Sequence, residues 1–390
     1  MTSTSRSFPT EEYRARVERA QSAMASAGLA ALLLTTEPEV RYFSGFLTRF
    51  WESPTRPWFL IIPAAGHPIA VIPAIGAALM ARTWISDIRT WRSPDLEDDG
   101  ISLLADVLRE AAGPSGTVGL PMGHESHLRM PLADFAALSK RLAPIRLAED
   151  GGIIRRLRMI KSAAEIEKIR AACDIAGRAF ARVPDIATAG QPVDAVFRRF
   201  QMLCLEEGAD WVPYLAGGAG PDGYDDVISP ATDRPLIEGD VLMLDTGLVW
   251  DGYFCDFDRN FAIGGASSDA EDGYARLIEA VEAAMEAARP GATAADLFHV
   301  MDKIVTGGQG GSEAGRLGHG LGMQLTEWPS LIPTDRTVLQ EGMVLTLEPG
   351  IALGDETMLV HEENIVIDKS GAALLSPPAS KRLPVIRAPR

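Results

Sequence analysis

Three apolar β segments in the second half of this chain carry carboxylates where burial would ordinarily forbid them, and few folds accommodate that combination. The segments are DVLMLDTGLV with GYFCDFDRNFAI (240–263), MVLTLEPGI (343–351) and MLVHEENIVI (358–367). Asp245 and Asp256 flank a turn signal at Trp250-Asp251-Gly252. A hairpin centred between residues 250 and 251 sets the two directly opposite, with Cβ atoms roughly 4.5–5.5 Å apart. Carboxylates that close repel unless a cation lies between them. The flanking Val241, Leu242, Met243, Leu244, Phe254 and Phe261 are too apolar for a solvated hairpin face. Glu348 stands late in VLTLEPG, just before Pro349-Gly350, and Glu362 stands in VHEENIVI. Buried carboxylates at strand ends need a metal or a basic partner. His319 lies in GRLGHGLGM, where the glycines let the backbone approach a neighbour closely; alone, such a histidine is more often structural than a ligand.

Together these residues supply four carboxylates and one imidazole, enough for two oxygen-preferring divalent ions that share bridging carboxylates. The thiol-free set favours Mn²⁺, with Co²⁺, Zn²⁺ or Fe²⁺ as alternatives.

At 390 residues the chain exceeds one ordinary core and predicts two domains. Residues 11–28 have helical spacing and end at Gly28; ALLLTT (31–36), WFLIIP (58–63) and IAVIP (69–73) read as strands, and LLADVLREAA (103–112) as a helix. These predict an α/β domain over residues 1–155, with a junction in LAEDGGIIRRLR (147–158). The second domain, 156–390, opens with a helix over 161–183 announced by the capping box Ser162/Glu165. Further helices over 192–207 and 269–289 would pack on a curved, mainly antiparallel sheet, so the overall class is α+β.

A net charge of −16 argues against nucleic acid or an anionic membrane as partner. Cys173, Cys204 and Cys255 form no CxxC pair and suit a reducing compartment. The first twenty residues carry no signal-peptide core and no apolar run reaches 18 residues, so the expected location is cytoplasmic. GGAGPDG (217–223) lacks the flanking strand and helix of a dinucleotide site, and neither GxSxG nor HExxH occurs. His361 points to the opposite strand face from Glu362 and reads as structural.

In order along the chain, LDTG(x)₈DFDRNF, GHGLG, VLTLEPG and HEENIVI resemble the catalytic half of the pita-bread metallopeptidases, the aminopeptidase P, prolidase and methionine aminopeptidase group that also contains creatinase. LLLTTEPEVRYFSGF (32–46) and RMIKSAAEIEKIRAAC (158–173) resemble the N-terminal part of the aminopeptidase P, prolidase and creatinase branch. The resemblance implies an N-terminal creatinase-like domain, a C-terminal pita-bread domain and a homodimer. It maps Asp245, Asp256, His319, Glu348 and Glu362 onto the metal ligands, with Glu348 also handling the catalytic proton. Glu362 rather than Glu363 is the match, because it stands three before Ile365. The implied activity is hydrolysis of a C–N bond in a short peptide or amide.

Several positions depart from the pattern. Proline-specific relatives have histidines where this chain has Ile228 and Thr326, and aminopeptidase P has an arginine at Val360. Thr326 and Glu327 are therefore the expected substrate contacts. Asp258 replaces a hydroxyl residue and is either a further carboxylate near the ions or the partner of an arginine. In RFWESPTRPWF (49–59), Arg49, Trp51, Arg56 and Trp58 are candidates to reach the active site of a second subunit. Two other enzyme readings and one without catalysis remain. A lyase of a small zwitterion, like dimethylsulfoniopropionate lyase, would carry an acid where Gly247 stands; a creatinase-type amidinohydrolase or a non-catalytic binding module would not need the ligand set.

Overall fold

Leu32, Leu33 and Leu34 are fully buried, and this run forms an inner strand, Ala31–Leu34, of a six-stranded sheet. The strands lie in the order Asp87–Trp91, Ile69–Pro73, Phe59–Pro63, Ala31–Leu34, Thr117–Leu120 and Arg146–Glu149. Ala31–Leu34 runs antiparallel to Phe59–Pro63 and parallel to Thr117–Leu120. Alternation puts Ala31, Leu33, Phe59, Ile61, Val71 and Val118 on one face, where Leu104 and Leu108 of helix Ile101–Ala112 and Leu138 of helix Leu132–Leu142 cover them. Helix Thr10–Ala27 ends where expected, at Gly28 in the left-handed conformation. In the aromatic run of residues 49–59, Trp51 and Trp58 are buried with ring centroids 5.9 Å apart and Arg56 lies over Phe50, while the exposed Arg49 pairs with Glu52 at 2.9 Å. Pro54 and Thr55 of that run lie outside the described residues.

This is a computed structural model, and it describes residues 6–53, 56–310, 315–354 and 357–387. The chain divides into one compact unit over Ser5–Arg158 and a second from Met159 onward. Among the described residues, no helix is long and apolar enough to cross a membrane.

The second unit begins with helix Ala163–Ala181, capped by the Ser162/Glu165 box. It contains two five-stranded sheets rather than one. The first has the order Val385–Ile386, Phe257–Ile263, Asp240–Trp250, Trp211–Pro221, with Tyr253–Phe254 also paired to Asp240–Trp250. The second has the order Glu327–Ser330, Gly318–Gly320, Val344–Leu347, Glu363–Ile367, Ala372–Leu374. All pairings are antiparallel except that of Val385–Ile386. Val241, Met243, Leu345, Leu347, Ile365 and Ile367 form one core with Leu277 of helix Ser268–Ala287 and Phe298 and Met301 of helix Ala294–Val305.

The hairpin register differs from the expected one. Val249 pairs with Phe254 and Trp250 with Tyr253, and farther along Asp245 faces Asp258, not Asp256. Asp251 and Gly252 both take positive φ (43° and 71°), so these two residues form the tight turn and the pairing is centred one residue later. Asp256 falls in the gap between Tyr253–Phe254 and Phe257–Ile263.

Two buried ion pairs tie the opening helix region to the sheets: Lys168 with Asp251, and Lys161 with Glu327 at 3.1 Å. The second pair is 2% and 6% exposed, and Glu327 also accepts the backbone N–H groups of Met323 and Gln324 at 2.9 and 3.2 Å. Removing one member leaves an uncompensated interior charge, which costs ~3–5 kcal/mol. Lys161→Met is therefore expected to lower unfolding free energy by about that amount in denaturant titration, and Lys161→Met/Glu327→Gln, which removes the charge but keeps an acceptor for the two N–H groups, to recover part of it.

Candidate active site

Strand Asp240–Trp250 is buried throughout, and its core-facing alternation Val241, Met243, Asp245 switches from apolar to acidic at the third position. Asp245, Asp256 and Glu362 converge there, each buried, with one carboxylate oxygen apiece within 4.8 Å of the others. Asp256 is held from behind by Asn364: its N–H donates to Asn364 Oδ1 at 2.9 Å, and the Asn364 amide and the Thr346 hydroxyl donate to its carbonyl. Glu362 is fixed through its own N–H, which donates to Asp258 Oδ1 at 2.9 Å.

His319 enters from strand Gly318–Gly320. A Cβ on Gly318 would lie 2.3 Å from the Thr346 carbonyl oxygen, and one on Gly320 would lie 2.4 Å from that of Trp328. The glycines thus let this strand sit tightly between its neighbours. His319 Nδ1 lies 2.8 Å from the Gly320 carbonyl oxygen, which can only accept, so the proton sits on Nδ1. The Nε2 lone pair then faces Asp256 Oδ2 at 3.3 Å and Glu348 Oε2 at 3.7 Å. Such a back-side hydrogen bond fixes the tautomer of ligating histidines. Glu348 follows strand Val344–Leu347, and its carboxyl lies by that of Glu362.

Burial raises the pKa of Asp245, Asp256, Glu348 and Glu362, and for all except Asp256 the neighbouring carboxylates push in the same direction as strongly as anything but burial itself or His319. For Asp256, Arg316 opposes the rise. The Tyr214 hydroxyl lies by Asp245 and opposes the rise of its pKa, yet the Oδ1 of Asp245 and the Oε2 of Glu362 are buried without a hydrogen-bond partner. Orphaned anionic oxygens in a cluster of like charges are what cations would satisfy.

The remaining expected residues lie as follows. Thr326 is half-buried and accepts from Arg316 at 3.3 Å. Glu327 is taken up by Lys161 and the 323–324 backbone. Ile228 is 81% exposed, whereas Val360 lines a cleft of about 510 Å³ that also reaches Glu348 and Arg316. Asp258 lies beside the carboxylate group, facing Asp245 across the hairpin, rather than pairing with an arginine. It is fully buried, with His361 Nδ1 3.2 Å away and the Glu362 N–H donating to it, while Arg259 pairs with Glu363 instead. His361 is drawn down by burial, but Asp258 and Glu363 outweigh this and raise its pKa. Burial pushes Glu363 up, yet Arg259 and His361 prevail and hold it at about 2. Tyr214, Asn364 and Arg316 were not singled out by the sequence. Arg316 stands three before His319 in the glycine-rich run and could have been noticed there; Tyr214 lies in a glycine-rich strand with no such signal.

Residues 167–369 match metallopeptidase family M24, and residues 16–160 match the creatinase/prolidase N-terminal domain. The chain belongs to metallopeptidase family M24. It is 32% identical over 372 residues to a probable dipeptidase PepE of Mycobacterium tuberculosis, covering 94% of this chain and 95% of that one. It is 33% identical over 231 residues to the Xaa-Pro dipeptidase of Pyrococcus furiosus, covering 57% and 65% of the two chains. The crystal structure of dipeptidase PepE from Mycobacterium ulcerans superposes with a TM-score of 0.83 at 28% identity, covering 98% of this chain and all of that one. This M24 chain is thus a metal-dependent hydrolase rather than a lyase, an amidinohydrolase or a binding module.

The raised carboxyls set the pH response of metal-free protein. A group whose folded pKa exceeds its unfolded value contributes stability present below the unfolded pKa of ~4 and lost as pH rises through the folded one. Glu363 acts in the opposite sense, but its window between about 2 and ~4 closes on the acid side. The melting temperature of chelator-treated protein is expected to fall from about pH 5 to pH 8, and Asp245→Asn to flatten that fall. Thermal melts across that range check it.

Proposed function

We propose that Asp245, Asp256, His319, Glu348 and Glu362 hold a pair of divalent ions, with Mn²⁺ the favoured metal, and that the enzyme cleaves dipeptides. The observation that supports this most is the pair of buried, unpartnered oxygens on Asp245 and Glu362 inside a group of mutually repelling carboxylates. When bound, the ions supply Lewis acidity for the substrate carbonyl and the attacking water.

The chain's own residues do the rest. Glu348 has a pKa raised by burial and reaches the cleft with part of its side chain, so it is suited to take a proton and pass it to the leaving amine. His319 is held as the neutral Nδ1–H tautomer, which keeps Nε2 available as a donor of electrons. Asn364 fixes the orientation of Asp256, and the Tyr214 hydroxyl lies by Asp245. Thr326 offers its hydroxyl to substrate beside Arg316, and Glu327 acts on the same contact by holding the loop that carries it. The reading includes a cytoplasmic homodimer, in keeping with the free, buried Cys173, Cys204 and Cys255.

Reconstitution with Mn²⁺ should load roughly two ions per chain by elemental analysis, as in other dinuclear sites. His319→Ala and Glu348→Ala should each lose turnover while remaining folded by circular dichroism. No bound metal at saturating Mn²⁺ would refute the reading.

Proline dipeptides should be poor substrates. Losing one positioned donor costs ~10²–10³ in rate, and this chain lacks the histidines and arginine that stand at 228, 326 and 360 in proline-specific relatives. We expect kcat/KM on Ala-Pro and Leu-Pro below about 10⁴ M⁻¹s⁻¹, the lower end of typical enzymes. Values above it would show that those substitutions do not matter.

A further inference from the structure

The cleft beside Glu348 is lined by both apolar and charged side chains. The apolar ones include Val305, Leu317, Ile351, Met358 and Val360. Among the described residues that line it, Glu348 and Asp225 are acidic and Arg316 is basic. Its volume, about 510 Å³, suits a small ligand. Arg316 Nε lies 3.5 Å from Glu348 Oε1, and its terminal nitrogen donates to Thr326 Oγ1 at 3.3 Å. The guanidinium is therefore oriented from two sides, next to the group that would handle the proton.

We propose that Arg316 anchors the free C-terminal carboxylate of the substrate, and that the apolar lining of the cleft, Val360 included, receives the apolar side chain of that same residue. The inference rests on the dipeptidase reading and names its substrate class: dipeptides whose leaving residue is aliphatic or aromatic.

Three observations combine here. A guanidinium fork matches a carboxylate with paired, charge-assisted hydrogen bonds. In a leaving amino acid only the Cα separates the scissile nitrogen from the carboxylate carbon, so the two lie within about 3 Å of each other. An anchor in contact with Glu348 therefore reads a carboxylate one residue beyond the cut and disfavours longer chains. Finally, Val360 is apolar where aminopeptidase P has arginine, so in this chain a cation lines the cleft at Arg316 and position 360 is left to hydrocarbon. The competing role for Arg316 is that of counter-ion to Glu348 and Asp256 alone, which would make binding indifferent to the ligand's carboxylate.

The test is calorimetric and needs no turnover. Metal-loaded protein is titrated with 4-methylpentanoate, which carries the leucine side chain and a carboxylate but no amine, and with 4-methylpentanamide and acetate. In the wild type the acid should bind roughly ten- to a hundredfold more tightly than its amide, the scale of a lost charge-assisted hydrogen bond. It should also bind more tightly than acetate, through burial of hydrocarbon against the apolar lining at Val360. Arg316→Ala should close the acid–amide gap, and Arg316→Lys should keep part of it. Val360→Arg should shrink the advantage over acetate. Equal binding of acid and amide in the wild type, or a gap that survives in Arg316→Ala, would overturn the proposal. If the wild-type gap is present but no dipeptide is cleaved, the dipeptidase reading fails and the anchor stands.

Discussion

Crowding of like charge in a place the fold keeps dry is the constraint on which the second unit depends. Asp245, Asp256 and Glu362 are between 3% and 7% exposed, and the Glu348 carboxyl lies by that of Glu362. No arrangement of four carboxyl groups in such a space is stable as four anions; protons or cations must be present. The surrounding structure is arranged to hold the groups there regardless. Asn364 and Thr346 grip Asp256 by its backbone, Asp258 grips Glu362 by its N–H, and Gly318 and Gly320 admit the strand that carries His319.

Behind that layer lies a second set of charges that is already balanced. Asp258, His361, Glu363 and Arg259 form a chain of alternating sign, and Ser376 and the Ala379 N–H complete the hydrogen bonding of Glu363. The contrast is informative. Asp258 and Glu363 are as deeply buried as Asp245 and Glu362, yet they have cationic or amide partners, whereas the inward group has oxygens with none. Acids of equal depth thus differ in their partners: some are balanced, and others carry oxygens with none.

Much of this was legible in the sequence. Acids inside apolar segments marked the site, Gly28 marked the end of the first helix, and Ser162 with Glu165 marked the start of another. The register of the hairpin was not legible, because choosing which two residues form the turn depends on positive φ at both Asp251 and Gly252. Strand Trp211–Pro221 was missed because its run of glycines has little β propensity. Those glycines are there for closeness: a Cβ on Gly217 would lie 2.1 Å from the Met243 carbonyl oxygen. Arg316 was passed over because its meaning comes from Glu348 and Thr326, which are distant in sequence and adjacent only in the fold.

The central claim, that these five side chains exist to hold a pair of cations, is tested most directly by anomalous diffraction from crystals grown with Mn²⁺. The account predicts two anomalous peaks enclosed by Asp245, Asp256, His319, Glu348 and Glu362, with the unpartnered oxygens of Asp245 and Glu362 among their ligands. An absence of peaks at full Mn²⁺ loading, or peaks bound by other residues, would contradict it.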